Sequence, residues 1–314
     1  MQNKRNINSI QIRVPASTSN LGSGFDCCGL ALQLYLTVRA TVVPNSDVKC
    51  RVRTIGPIKD CLDDLRRDKD NLIYQSIEFL AEQEGFTLPP LRLSVCNEIP
   101  LASGLGSSAA AIIAGLKLGS AFARREIPDD RLLHYATQIE GHACNVAAAL
   151  QGGFVLHFDD EFGHVKTFKK PWPSDLKIVI VTPHHRLPTK QARAILPNLV
   201  TTSDAIFNIQ HWALFNAALD QGRYEFLWEA MQDRLHQPFR EILVPGLREA
   251  LATEQRDGLL GIALSGAGPS VIALTERHDS SAADSIAACF QKHGIATTIH
   301  CLGVENAGAS LMVF

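Results

Sequence analysis

Apolar and polar residues alternate along residues 34–42, where Leu34, Leu36, Val38, Ala40 and Val42 are interleaved with Tyr35, Thr37, Arg39 and Thr41. That period of two predicts a half-buried strand. Residues 10–14 read as a short strand and residues 15–26 as a polar, glycine-containing loop. Asp70 or Asn71 can cap a helix whose apolar stripe is Leu72, Ile73, Ile77 and Leu80. A second alternating stretch, Leu91, Leu93 and Val95 between Arg92 and Ser94, precedes a helix through Ile112, Ile113, Leu116 and Leu118, which ends before Pro128. Another helix, from Asp129, leads to Glu140, and residues 154–158 form a strand.

The second half predicts a strand at 176–181 and helices around 189–195, 203–219 and 224–235. Strands at 259–264 and 271–275 flank Gly266-Ala267-Gly268-Pro269, and a helix from Ser280 and two closing strands follow. Strands mixed with helices, without strict βαβ alternation, favour an α+β fold over a doubly wound sheet. The acidic, proline-bearing stretch 159–173 reads as a junction, dividing the chain into domains 1–168 and 169–314.

With 314 residues, 46% of them hydrophobic, the chain can bury one large or two ordinary cores. A net charge of −2 supplies no bulk attraction for nucleic acid or an anionic membrane, so a small-molecule partner is expected. Apolar runs are interrupted well before a membrane-spanning length, and the first eight residues lack the apolar core of a signal peptide, so a cytoplasmic location is expected. The eight cysteines form no C-x-x-C pair and are expected to be reduced, most of them core filler, Cys96 and Cys301 among these. Eleven histidines without an H-E-x-x-H spacing argue against a transition-metal site.

The most specific chemistry lies in residues 100–111. Pro100, Leu101, Ala102, Ser103, Gly104, Leu105, Gly106, Ser107, Ser108, Ala109 and Ala110 form a small-residue loop running into an alanine-rich helix. Glycines let the backbone approach a ligand, and a helix N-terminus offers unpaired N–H groups and the positive end of the dipole to phosphate. A Walker A reading fails for want of Gly-Lys-Ser/Thr. A dinucleotide fingerprint lacks its following strand, because 129–138 reads as a helix. A plain helix cap would explain one glycine and one serine, not the whole run.

Three further segments keep this loop company: 14–26, Glu140-Gly141-His142-Ala143-Cys144-Asn145, and 264–270. Together, in this order, they resemble the GHMP small-molecule kinases, and residues 189–197 resemble the branch that acts on L-homoserine. The resemblance implies a two-domain α+β enzyme with ATP in a cleft between an N-terminal domain and a ferredoxin-like C-terminal domain. It implies that Ser108 and Glu140 hold Mg²⁺, that Asn71 lies near the adenine, and that Asn20, Asp26, Thr189, Arg193 and Arg240 hold the amino acid with Asn145 near its hydroxyl. An acid for the ammonium group and guanidinium groups for the carboxylate suit such a zwitterion; Arg240 taken alone reads equally well as a surface arginine. Homodimerisation stays open.

The family usually reads Glu-Gly-His-Pro-Asp-Asn where this chain has Cys144. By resemblance Cys144 borders the substrate with Glu140 and Asn145 in the catalytic group. A thiol with an ordinary pKa near 8.5 is mostly neutral at pH 7 and offers no carboxylate charge. Cys144→Asp is then expected to raise kcat/KM. Three functions follow: an active kinase for homoserine, a catalytically impaired nucleotide-binding protein, and a kinase for another small alcohol.

Overall fold

The computed structural model describes residues 8–44, 46–55, 70–123, 125–276 and 280–314. Cys61 lies outside them. The first part runs β1 (Ser9–Ser19), β2 (Cys28–Val42), β3 (Cys50–Thr54), α1 (Leu72–Glu84), β4 (Leu91–Asn97), α2 (Ser107–Phe122), α3 (Asp129–Glu140), α4 (Cys144–Gln151), β5 (Phe154–Asp159) and β6 (Val165–Lys170). Then come β7 (Lys177–Pro183), α5 (Thr189–Ala194), α6 (Thr202–Gln221), α7 (Leu227–Ala230), α8 (Gln237–Arg240), α9 (Leu247–Leu251), β8 (Leu259–Leu264), β9 (Val271–Thr275), α10 (Ser280–Gln291), β10 (Thr297–Leu302) and β11 (Ser310–Val313).

Two sheets organise the chain. The seven-stranded sheet has the path β11-β1-β2-β4-β3, with β5 added along β2 and β6 paired to β5. The four-stranded sheet has the order β10-β7-β9-β8. Its strands pair antiparallel, and with helices after β7 and β9 it is the split βαβ arrangement of a ferredoxin-like unit. The α+β expectation therefore holds. The boundary expected at 168/169 falls inside β6, and β11 returns from the far end of the chain to pair with β1.

The period-two pattern of β7 explains how the halves join. Ile178 and Ile180 enter the large core with Ile10, Leu30, Ile113 and Phe215, whereas Val179 and Val181 face a second core with Leu264, Ala273, Ile286 and Phe290. Successive side chains of one strand thus serve two cores, and the first core crosses the junction.

Three local readings change. Residues 15–19 continue β1 instead of starting a loop, because a register shift at Pro15/Ala16 lets Ser17 to Ser19 keep pairing with β2 down to Gly29. The helix expected at 224–235 shrinks to a 3₁₀ turn and α7, because Asp233 accepts the backbone N–H groups of Leu235, His236 and Gln237 and so folds the chain away from a helix. Cys301 is exposed on edge strand β10, not core filler, and Cys96 is partly buried. No described helix is long and apolar enough to cross a membrane.

Candidate active site

A cleft of about 400 Å³ is lined by strands β1, β2 and β4 on one side and by α5, α8 and the β8–β9 connection on the other, and one wall is the loop between β4 and α2. Gly104 and Gly106 adopt φ values of 82° and 68°, in the left-handed region. A Cβ on Gly104 would lie 2.2 Å from the Ser265 carbonyl oxygen, and one on Gly106 would lie 2.2 Å from Ser17 Oγ. Only glycine allows the loop to sit this close to its supports. The loop is fastened to the second half of the chain: Ser265 donates to the Gly104 carbonyl at 2.8 Å, Ser270 N–H to the Ser103 carbonyl at 3.1 Å, and Leu187 N–H to the Ala102 carbonyl at 3.0 Å. α2 begins at Ser107 without a side-chain cap, so its first amides are left for a ligand. Leu101 to Ser108 line the cleft; Pro100, Ala109 and Ala110 do not, the two alanines being fully buried in the core behind it.

At the mouth of α2, Ser108 donates to Glu140 Oε1 at 2.6 Å. Glu140 is the last residue of α3, where Gly141 in the left-handed conformation ends the helix. Burial pushes its carboxyl above the ordinary value, against the Ser108 hydrogen bond and the charge of Arg193. A cation beside it would relieve that penalty. Among the described residues no group of three or more His, Cys, Asp or Glu side chains is arranged to hold a metal. One carboxylate and one hydroxyl suit Mg²⁺, which takes few protein ligands beside substrate phosphates. Asn145, in the first turn of α4, accepts from Ser17 Oγ at 3.1 Å through Oδ1.

The far end of the cleft carries the charges. Asp26 accepts from Arg193 Nη1 and Nη2 at 2.9 and 2.8 Å, a two-point pair. Burial raises the Asp26 carboxyl, but these hydrogen bonds and the Arg193 charge outweigh it and hold the group below its ordinary value. Asn20 and Asp26 have φ of 74° and 52°, which bends the β1–β2 connection so that Asn20 Oδ1 accepts the Asp26 N–H at 3.1 Å. Asn20 Nδ2 donates to the Gly266 carbonyl at 2.9 Å. Thr189, at the start of α5, also lines the cleft.

Arg240 is no surface arginine: it is 1% exposed and lines the cleft. Its Nε donates to the Ala192 carbonyl at 3.0 Å and its Nη1 to the Gly266 carbonyl at 3.2 Å. No carboxylate pairs with it among the described residues. Burial, then the neighbouring Arg193, pushes it down to about 10, so it stays charged at neutral pH. A buried, unpaired guanidinium at a cleft wall calls for an anion.

Asn71 caps α1, accepting the Ile73 N–H at 3.0 Å, and lines the opposite end of the cleft with Leu36, Val95 and Asn97. Cys144 is 1% exposed and lies behind the wall, its Sγ 3.0 Å from His157 Nε2 and 4.0 Å from Asp26 Oδ1. Burial pushes its thiol well above the ordinary value, so it is neutral. Sequence reasoning assigned no role to His142, which lines the cleft with Nε2 3.9 Å from Glu140 Oε1. Burial, then the Arg193 charge, pushes it down to about 4. Its place inside the quoted Glu140–Asn145 run was the available signal.

The GHMP kinases N terminal domain profile matches residues 71–153, and the GHMP kinases C terminal profile matches 215–296. The homoserine kinase of Solibacter usitatus is 40% identical over 92% of this chain and 93% of its own length. That of a Synechocystis strain is 37% identical over 96% of this chain and 98% of its own. The crystal structure of homoserine kinase from Cytophaga hutchinsonii superposes with a TM-score of 0.84 at 28% identity, covering 99% of this chain and all of that one.

Proposed function

The chain belongs to the GHMP kinase family, and from that premise we propose that it transfers the γ-phosphoryl group of ATP to the side-chain hydroxyl of L-homoserine, forming O-phospho-L-homoserine in threonine biosynthesis. The observation that carries the acceptor is the charge set at one end of the cleft: one acid, Asp26, and two guanidiniums, Arg193 and Arg240. A free amino acid carries the complementary pair of charges, and on entering it would exchange with the Asp26–Arg193 pair. A neutral alcohol would leave Arg240 without a carboxylate in contact, supported only by the more distant charges of Asp26 and Asp233. Relatives give no support to an impaired nucleotide-binding protein or to a different alcohol.

The remaining roles follow from position. The loop 101–108 and the first amides of α2 would hold the triphosphate, with Asn71 toward the base. Ser108 and Glu140 would hold Mg²⁺, which when bound neutralises charge on the phosphates. Asn145, with Oδ1 engaged by Ser17, would offer its amide N–H to the acceptor hydroxyl. A loose phosphoryl-transfer transition state needs alignment and electrostatic support more than a strong base, so a neutral thiol at Cys144 is compatible with turnover.

We further expect a cytoplasmic enzyme, and light scattering tests whether it forms a homodimer. A coupled ADP-release assay against homoserine, threonine, serine and mevalonate tests the function. Homoserine should give the highest kcat/KM, and a higher value for a non-amino-acid alcohol would overturn the assignment.

A further inference from the structure

Arg240 is aimed by a neighbour outside the cleft. His236, fully buried, has Nε2 2.9 Å from the Gly22 carbonyl oxygen and Nδ1 3.2 Å from Arg240 Nη1. A carbonyl can only accept and a guanidinium can only donate. The imidazole is therefore neutral, with its proton on Nε2 and its lone pair on Nδ1 turned to Arg240. Asp233 fixes its backbone, accepting the His236 N–H at 2.9 Å, and the Phe25 ring stacks on it at 4.9 Å between centroids. Phe25 precedes Asp26, so a single ring touches both the loop that carries the acid and the arginine opposite.

We propose that His236 is a positioning residue for the acceptor: it accepts from Arg240 Nη1, so that with Nε held by Ala192 and Nη1 held by Gly266 and His236 the two Nη2 N–H groups are left for the acceptor carboxylate. This rests on the reading of Arg240 as a carboxylate ligand. Two edge contacts, Ala192 and Gly266, come from carbonyls on different elements, α5 and the β8–β9 connection. Neither fixes the plane alone. The imidazole supplies the third point and ties that plane to the Gly22 backbone.

Two amide variants separate the bonds of the ring. His236→Asn keeps an acceptor near the Nδ1 position, and His236→Gln keeps a donor near Nε2. Steady-state kinetics should show KM for homoserine within about threefold of the parent for His236→Asn and raised roughly tenfold for His236→Gln, the scale of one hydrogen bond. KM for ATP should stay within about twofold in both. In the double variant His236→Gln/Arg240→Leu, KM for homoserine should match that of Arg240→Leu alone, since residues acting as a unit are not additive. Equal rises in the two amide variants, a multiplicative effect in the double variant, or loss of the folded state in both would overturn the proposal. An unchanged KM for homoserine in Arg240→Leu would overturn the reading of Arg240 itself. A raised KM there with a parental KM in His236→Gln would overturn only the role of His236.

Discussion

Replacing Cys144 with aspartate would bring a second carboxylate to within about the 4.0 Å that now separates the thiol from Asp26 Oδ1. At an effective dielectric of about 20, two like charges 4 Å apart repel by about 4 kcal/mol. Burial adds to this, because Cys144 is 1% exposed. Relief has two sources, the Arg193 guanidinium and protonation of His157, whose ring lies 3.0 Å from Sγ. Burial holds His157 below its ordinary value, so its protonation offsets only part of the repulsion. A net loss of about 2–4 kcal/mol follows. The deficit must also depend on pH. The folded variant would bind a proton, on His157 or a carboxyl, more tightly than the unfolded chain does, so its stability falls as pH rises from about 5 to 7. Urea denaturation at both pH values reads this, with Cys144→Ser as the neutral control. Burial thus works against the gain in kcat/KM expected from sequence alone, because the added carboxylate weakens the fold around the site. A variant as stable as the parent at pH 7, with a higher kcat/KM for homoserine, would refute the reasoning and show that the position is hydrated from the cleft.

Arg193→Leu should lower kcat/KM for homoserine roughly 10- to 100-fold while KM for ATP changes less than about twofold; equal losses for both substrates would assign Arg193 a structural role. Gly104→Ala must hold a left-handed φ at a cost of about 1–2 kcal/mol and push against the Ser265 carbonyl, so calorimetry should show weakened ATP binding in a folded protein, and unchanged affinity would remove the loop's close seating from the account. Glu140→Gln keeps shape but not charge, and should abolish most of the Mg²⁺ enhancement of ATP binding seen by calorimetry; an intact enhancement would move the metal elsewhere. His142 has a folded pKa of about 4, below its ordinary 6.5, so its contribution to stability is complete above pH 6.5 and lost as pH falls toward 4. At pH 5 His142→Gln should therefore recover about 2 kcal/mol relative to the parent, compared with pH 7, and parallel urea midpoints at both pH values would contradict it.

The nucleotide side of the site was legible because it is local. Residues 101–108 are consecutive, their small side chains announce close backbone approach, and the helix they enter is apolar along most of its length and buried. Strands 259–264 and 271–275 were equally plain, being short apolar runs between turn residues, and they match β8 and β9. Where sequence reasoning failed, polar groups with distant partners decided the outcome. Ser17 and Thr18 look like loop residues, yet they are buried in β1 because Leu105, Asn145 and Ser265 supply partners from beyond position 100. Asp233 looks like a helix residue, yet its carboxylate takes three backbone amides and ends α7.

The acceptor end shows the same logic at its furthest reach. Asp26, Arg193 and Arg240 come from the β1–β2 connection, α5 and α8, and no spacing rule links them. Only the family resemblance pointed to them, through quoted motifs for Asp26 and Arg193 and without one for Arg240, and it says nothing of burial. Burial is what distinguishes the two arginines. Arg193 is about one-third exposed at its side chain and already shares its charge with Asp26, so a substrate must compete for it. Arg240 is buried in the cleft wall, hydrogen-bonded only to neutral groups, and keeps a full charge for an incoming carboxylate. Its fixed geometry commits no rotamer entropy at binding, so on the proposed reading Arg240 would set the position of the amino acid and Arg193 would close on it by exchange.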